Sequence, residues 1–109
     1  RLNLTVKGNV LVRRVLFDGV RATGVEAESG GEIFTIEGQE IVLSAGSLKT
    51  PHLLMLSGVG PKDDLAALGI PLVRHLPGVG QNLRNHPSAS VGFRAKEDVT
   101  MPDDENVGP

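Results

Sequence analysis

The sequence contains no cysteine, tryptophan or tyrosine, and only three phenylalanines among its 109 residues. Without cysteine, a disulfide framework, a thiolate zinc site and a cysteine nucleophile are all excluded. Aromatic side chains supply much of the bulk of a small core, so their scarcity is unusual for a self-sufficient domain. Because the chain also starts at Arg1 rather than at a methionine, we expect it to be a segment of a longer protein.

The chain also lacks a marked excess of either charge and lacks a long apolar run. Eleven lysines and arginines against thirteen acidic residues give a formal net charge of -2. This balance does not favour nucleic acid or anionic lipid as a partner. No apolar stretch is long enough for a signal peptide or a membrane span, so no membrane partner is expected. The compartment is left open, with the cytoplasm as the default expectation.

The first third of the chain has the pattern of a small antiparallel meander. Apolar and β-branched residues predict strands over residues 10–17, 20–28 and 32–36. Asp18-Gly19 lies between the first two runs, and we predict that this pair forms the centre of a hairpin turn with positive φ at both positions. Ser29-Gly30-Gly31 predicts the second turn.

Residues 41–43 differ from the alternating strands before them, because they form a continuous apolar run. Such a run predicts a strand covered on both faces, typical of a parallel strand in an α/β sheet. The next residues, 44–47, are very small. Thr50 then predicts a helix cap, with Pro51 at the first helical position and Gly58 ending the helix.

Small residues between a strand and a helix let the backbone approach a ligand, and the helix N-terminus offers free N–H groups. This arrangement suits a pyrophosphate or a ribose, although close packing of the turn is the alternative explanation. A second short helix is predicted over residues 61–68, an extended segment over 70–76 and a further strand over 88–95. The predicted fold class is therefore α/β (α+β), with an antiparallel hairpin layer and short helices.

The sequence GSLKTPHLLMLSGVGP, residues 46–61, closely resembles the second signature of the glucose/methanol/choline (GMC) oxidoreductases, flavoenzymes that bind FAD. Upstream, VRRVLFDG at 12–19 and RATGV at 21–25 look like the hairpin beneath the adenine in that family. Downstream, LPGVGQNL at 76–83 and His86-Pro87 look like the segment that leaves the flavin domain. The resemblance covers nearly all of residues 2–95.

The resemblance implies that FAD is the cofactor and that this chain contributes part of a Rossmann-like FAD-binding domain. Val12 matches the valine whose backbone meets the adenine end of FAD. Ala45 and Gly46 match the strand end that approaches the ribose and pyrophosphate. Residues 1–87 would belong to the FAD-binding domain, and residues 88–109 would begin the substrate-binding domain.

An enzyme of this kind oxidises an alcohol to a carbonyl compound and passes a hydride to the flavin. The catalytic histidine of the family is expected C-terminal to this segment, so no catalytic residue is assigned and the segment alone should be inactive. The expected partners are FAD, a small-molecule alcohol and the rest of the same flavoprotein. Two alternatives are a hydroxynitrile-lyase-like member with redox-silent FAD and a non-catalytic β-rich interaction module.

Three histidines are the other candidates for chemistry. We expect His52 to lie at the edge of the core or to cap its helix, His75 to be exposed, and His86 to be held in a constrained loop. They show no metal-ligand spacing, so no metal site is predicted. The family usually has aspartate where this chain has Asn85, so this position carries an amide in place of that carboxylate.

Overall fold

In the computed structural model, residues 2–92 and 94 are described, and they form two sheets and two helices of a mixed α/β fold, as predicted. The elements are β1 (Leu11–Asp18), β2 (Arg21–Ser29), β3 (Glu32–Glu37), α1 (Gly46–Leu56), β4 (Val59–Gly60), α2 (Lys62–Ala67) and β5 (Arg74–His75). The first three strands form an antiparallel sheet in the order β1-β2-β3, and β4 pairs with β5 in parallel. No helix of the described part is long and apolar enough to cross a membrane.

The meander is confirmed, and its two turns differ. Asp18 pairs with Arg21, so the first turn is centred on Gly19 and Val20, and only Gly19 has a positive φ, at 57°. The prediction that Asp18-Gly19 forms the turn centre was wrong by one position, because a type II′ turn needs a positive φ only at its first central residue. The second turn does place glycines with positive φ at both central positions, between Ser29 and Glu32.

Strand β1 contains a bulge near its start. Val12 lies opposite Ala27 and Arg14 lies opposite Glu26, which leaves Arg13 as an extra residue without its own partner on β2. A bulge of this kind bends the strand and redirects its side chains, and such bulges are common next to functional sites. The backbone of β1 therefore changes direction directly after Val12.

Helix α1 begins at Gly46, earlier than the predicted cap at Thr50. Thr50 lies within the helix and still contacts its N-terminus, because its Oγ1 accepts a hydrogen bond from the N–H of the N-cap residue Ala45 at 3.1 Å. Pro51 therefore lies within the helix, where it lacks the N–H for one backbone hydrogen bond. The end of the helix is as predicted, since Gly58 follows with a φ of 82°.

The predicted parallel strand at residues 41–43 is not formed in this chain. Residues 41–44 have no regular secondary structure, and Val42 is 76% exposed. A parallel strand needs a neighbouring strand that is distant in sequence, and none of the described residues pairs with this run. Residues 88–92 and 94 also carry no strand, while residues 93 and 95 of that prediction lie outside the described residues.

The second helix is confirmed at Lys62–Ala67, with Pro61 as its N-cap rather than its first residue. The extended segment 70–76 contributes only the short strand β5, whose pairing with β4 was not predicted from the sequence. The apolar core is small. Its buried members are Val15, Ala27, Leu53, Val59 and Leu65.

Candidate functional site

A groove of about 760 Å³ separates strand β1 from helix α1, and we call it the β1–α1 groove. One wall comes from β1 with its neighbour β2, and the other comes from α1 and its N-cap. Ten of the described residues line it: Val10, Leu11, Val12, Arg13, Glu28, Ala45, Lys49, His52, Leu53 and Leu56. Two of the three residues predicted to bind a cofactor, Val12 and Ala45, therefore share one cavity.

The third predicted residue, Gly46, lies next to the groove as the first residue of α1 and is not part of its lining. Its φ of 83° is a conformation that side-chain-bearing residues rarely adopt. A Cβ placed on Gly46 would meet no atom of the described residues within 4 Å. The space beside this backbone is therefore open to a ligand, and the glycine is explained by its conformation rather than by packing within the chain.

The start of α1 offers hydrogen-bond donors to such a ligand. The N-cap Ala45 makes no side-chain cap hydrogen bond, so the first N–H groups of the helix are not satisfied by a capping side chain. Unsatisfied N–H groups and the helix dipole together favour an anion at this end. Because Ala45 itself lines the β1–α1 groove, the helix N-terminus is adjacent to that groove.

Charged side chains add to this preference. Arg13 forms an ion pair with Glu28, with 2.8 Å between Nη1 and Oε2, so these two groove residues balance each other. Lys49 makes no ion pair with any other described residue and leaves the lining with an uncompensated positive charge. The groove therefore combines an apolar floor with donors and positive charge at one end, which suits an adenosine attached to phosphates.

A second groove, of about 590 Å³, lies on the other side of α1, against the loop of residues 78–84. His52 is exposed and lines both grooves, while Asn82 lines only the second and has a positive φ of 57°. His86 lines neither; its backbone N–H donates to Asn85 Oδ1 at 2.9 Å. No cluster of three or more potential metal ligands occurs among residues 2–92 and 94.

His75 is exposed, as predicted, but it also has a contact that the sequence did not indicate. Its Nδ1 accepts a hydrogen bond from the Lys62 N–H at 3.2 Å and so caps helix α2. The sequence also did not predict the role of Ser57, which is only 6% exposed and joins α1 to β1 through hydrogen bonds. Both contacts bring together residues far apart in the chain, which local patterns do not report.

Comparison with known proteins identifies the family. The family model described as GMC oxidoreductase matches residues 1–88. Mitochondrial choline dehydrogenase of Homo sapiens is 53% identical over 102 residues, and the oxygen-dependent choline dehydrogenase of Staphylococcus haemolyticus is 42% identical over 101 residues. Each alignment covers 93% of this chain. A solved structure, an FAD-dependent oxidoreductase from Chaetomium thermophilum, matches 68% of the chain with a TM-score of 0.65 and 45% identity.

The mixed α/β fold is thus shared with an oxidoreductase of known structure. The chain belongs to the GMC oxidoreductase family, which confirms the resemblance seen in the sequence. It spans only 17% of the human protein, 18% of the staphylococcal protein and 13% of the Chaetomium structure.

Proposed function

We propose that this chain is part of the FAD-binding region of a longer GMC oxidoreductase and that the β1–α1 groove holds the adenosine end of FAD. In this proposal Val12 contacts the adenine end, and Ala45 and Gly46 contact the ribose and pyrophosphate. Residues 1–87 belong to the FAD-binding domain, and residues 88–109 begin the substrate-binding domain. The active unit is the longer polypeptide.

The main support for this proposal is that Val12 and Ala45 line the same groove although they come from different elements. The open space beside Gly46 and the donors at the start of α1 fit the phosphate end of the same ligand. Lys49 supplies a positive charge on the same wall. The residues present therefore fit the group that the family membership implies.

Bound in this groove, FAD would supply the hydride acceptor for oxidation of an alcohol. The residues of this chain have a binding role and none is given a catalytic one, because the catalytic histidine is expected C-terminal to the segment. We propose choline or a similar small alcohol as the substrate of the longer enzyme, since the relatives of human and staphylococcal origin are both choline dehydrogenases.

The two other functions have less support. A non-catalytic β-rich module would not account for the family match over residues 1–88. A lyase with redox-silent FAD shares the cofactor site, but the relatives named above are dehydrogenases and an oxidoreductase. Adding choline to the complete protein under anaerobic conditions should bleach the yellow flavin, whereas a redox-silent protein would keep its colour with every alcohol tested.

The site itself can be tested with two matched glycines. Gly46 and Gly69 both have a positive φ, 83° and 68°, and a Cβ on either would meet nothing within 4 Å in the part of the chain that the structure describes. Replacing either by alanine costs similar backbone strain, about 1–2 kcal/mol for the left-handed conformation. Only Gly46→Ala should also place a methyl group against the cofactor.

We expect Gly46→Ala in the complete protein to weaken FAD binding by about tenfold or more, measured by titrating the apoprotein with FAD. Gly69→Ala should leave the FAD dissociation constant near that of the wild type, although it lowers the melting temperature. Equal affinity of both variants would exclude Gly46 as a cofactor contact.

A further inference from the structure

Ser57 occupies an unusual position for a small polar residue, because it is buried at the junction of the two walls of the β1–α1 groove. It is the C-cap residue of α1 and is 6% exposed. A buried hydroxyl is costly unless it is hydrogen-bonded, and this hydroxyl is satisfied on both sides.

Ser57 Oγ takes part in two hydrogen bonds, in one as the acceptor and in the other as the donor. The Val15 N–H of β1 donates to Ser57 Oγ at 2.8 Å, and the Ser57 hydroxyl donates to the Leu53 carbonyl oxygen of α1 at 2.6 Å. Among the described residues, this is the one hydrogen-bonded link between β1 and α1 or its caps. Ser57 therefore connects the walls of the groove by a short, buried path.

The position of Val15 on β1 makes this link relevant to the groove. β1 is an edge strand of the three-stranded sheet, so its outward N–H groups have no strand to pair with. Val15 is itself buried, and it follows the bulge at Arg13 along β1. Val12, which lines the groove, precedes the same bulge. Fixing the backbone at Val15 thus fixes the direction in which the strand leaves the bulge.

The other end of the link lies on the opposite wall. Leu53, whose carbonyl accepts the Ser57 hydroxyl, lines the groove, as do His52 and Lys49 on the same helix. Movement of β1 relative to Leu53 would change the distance between Val12 and α1. Among the described residues, the hydroxyl of Ser57 provides the hydrogen bond that opposes this movement.

We propose that Ser57 is a positioning residue for the cofactor: it holds the Val15 backbone to α1 and so sets the width of the groove in which FAD binds. The inference rests on the proposed function, because it takes the β1–α1 groove as the FAD site. It predicts that losing the hydroxyl lowers FAD affinity by reducing the population of the binding-competent groove.

Threonine and valine at position 57 provide a matched test, since they have nearly the same shape and only threonine keeps the hydroxyl. A neighbouring cavity of about 240 Å³, bounded by Ser57, Val15, Leu56 and Pro71 among others, gives room for the added methyl groups. In the complete protein we expect Ser57→Val to weaken FAD binding by about tenfold and Ser57→Thr to stay within about twofold of the wild type.

Three readouts separate positioning from general stability. The dissociation constants of FAD and of ADP, which carries only the adenosine half, should rise by the same factor in Ser57→Val, and the visible circular dichroism of the bound flavin should change. Leu65→Val is the stability control, because Leu65 is a fully buried residue of α2 and does not line the groove. It should lower the melting temperature and leave both dissociation constants unchanged.

The inference is overturned if Ser57→Val binds FAD as tightly as Ser57→Thr, or if Leu65→Val weakens FAD to the same extent. Should Ser57→Val fail to fold, Ser57→Cys decides, because a thiol is a weaker hydrogen-bonding group: intermediate affinity supports the inference and wild-type affinity overturns it. A wild-type protein that does not bind FAD would instead disprove the proposed function, so the two failures are distinguishable.

Discussion

Among single residues, Glu26 has the clearest electrostatic environment. It lies on β2 and faces two arginines of β1, with 2.8 Å from Arg14 Nη2 and 3.5 Å from Arg13 Nε to its carboxylate. The hydrogen bond from Arg14 is the main reason that the pKa of Glu26 is lowered, and the charges of Arg14 and Arg13 lower it further, while partial desolvation opposes the shift. The charged form of Glu26 is therefore favoured in the folded hairpin.

This lowered pKa predicts a pH dependence with a definite sign. A carboxyl whose pKa is lower in the folded state stabilises fully above its unfolded value, here about 4.5, and the contribution is lost as the pH falls through the folded pKa. We expect Glu26→Gln to lower the melting temperature of the complete protein slightly at neutral pH, and this difference should vanish in acid. Glu32→Gln is the control, because Glu32 makes no ion pair with another described residue. A difference for Glu26→Gln that persists in acid would contradict this explanation.

The residues that sequence patterns located correctly are those whose role is local. The glycines at positions 30 and 31 follow from turn chemistry, and Gly58 follows from the way helices end. Val12 and Ala45 were predicted from the family resemblance, and the fold places both on the β1–α1 groove. Ser57 and His75 were not predicted in these roles, because a hydrogen bond to a residue on another element leaves no local pattern.

At the scale of elements, the hairpins could be predicted and the strand at residues 41–43 could not be placed. An antiparallel meander contains its own partners in consecutive order, so its strands form within the chain. The run at 41–43 has the composition of a covered strand but no partner among the described residues. The start of α1 was misjudged because Pro51 fits a first-turn position equally well by pattern.

Helix α2 gives a prediction at this scale. With six residues it is short, and its first N–H group, that of Lys62, would lose its side-chain acceptor without the imidazole of His75. Removing a side-chain cap typically costs about 1 kcal/mol. We therefore expect His75→Ala to raise the exchange rate of the Lys62 amide hydrogen about fivefold, measured by hydrogen–deuterium exchange of the complete protein.

Arg74→Ala provides the control for this helix, since Arg74 is the other residue of β5, is also exposed and does not cap α2. It should leave the exchange rate of the Lys62 amide unchanged. The same rate in both variants would show that the imidazole contributes no measurable cap.

At the scale of the whole molecule, the surface is unusually apolar for a chain that stands alone. Val42 and Leu48, which precede and follow Ala45 and Gly46 in the sequence, are 76% and 66% exposed. Extended apolar surface of this kind usually marks a contact with another part of the protein or with a partner. Together with the small share of the relatives that this chain covers, it supports the proposal that the chain is part of a longer FAD-binding region, in which residues 41–43 would form the covered strand predicted from the sequence.

Two valines allow this proposal to be tested. Val42 and Val20 are similarly exposed in this chain, at 76% and 67%, but Val20 lies in a hairpin turn beside charged residues and Val42 lies in an apolar run. If residues 41–43 form a covered strand of the longer protein, Val42→Asp buries a charge there and should prevent folding or lower the melting temperature by many degrees. Val20→Asp should be tolerated in the same protein because its site stays in water. Equal tolerance of both substitutions would mean that Val42 is exposed in the complete protein as well. Residues 41–43 would then not form a covered strand there.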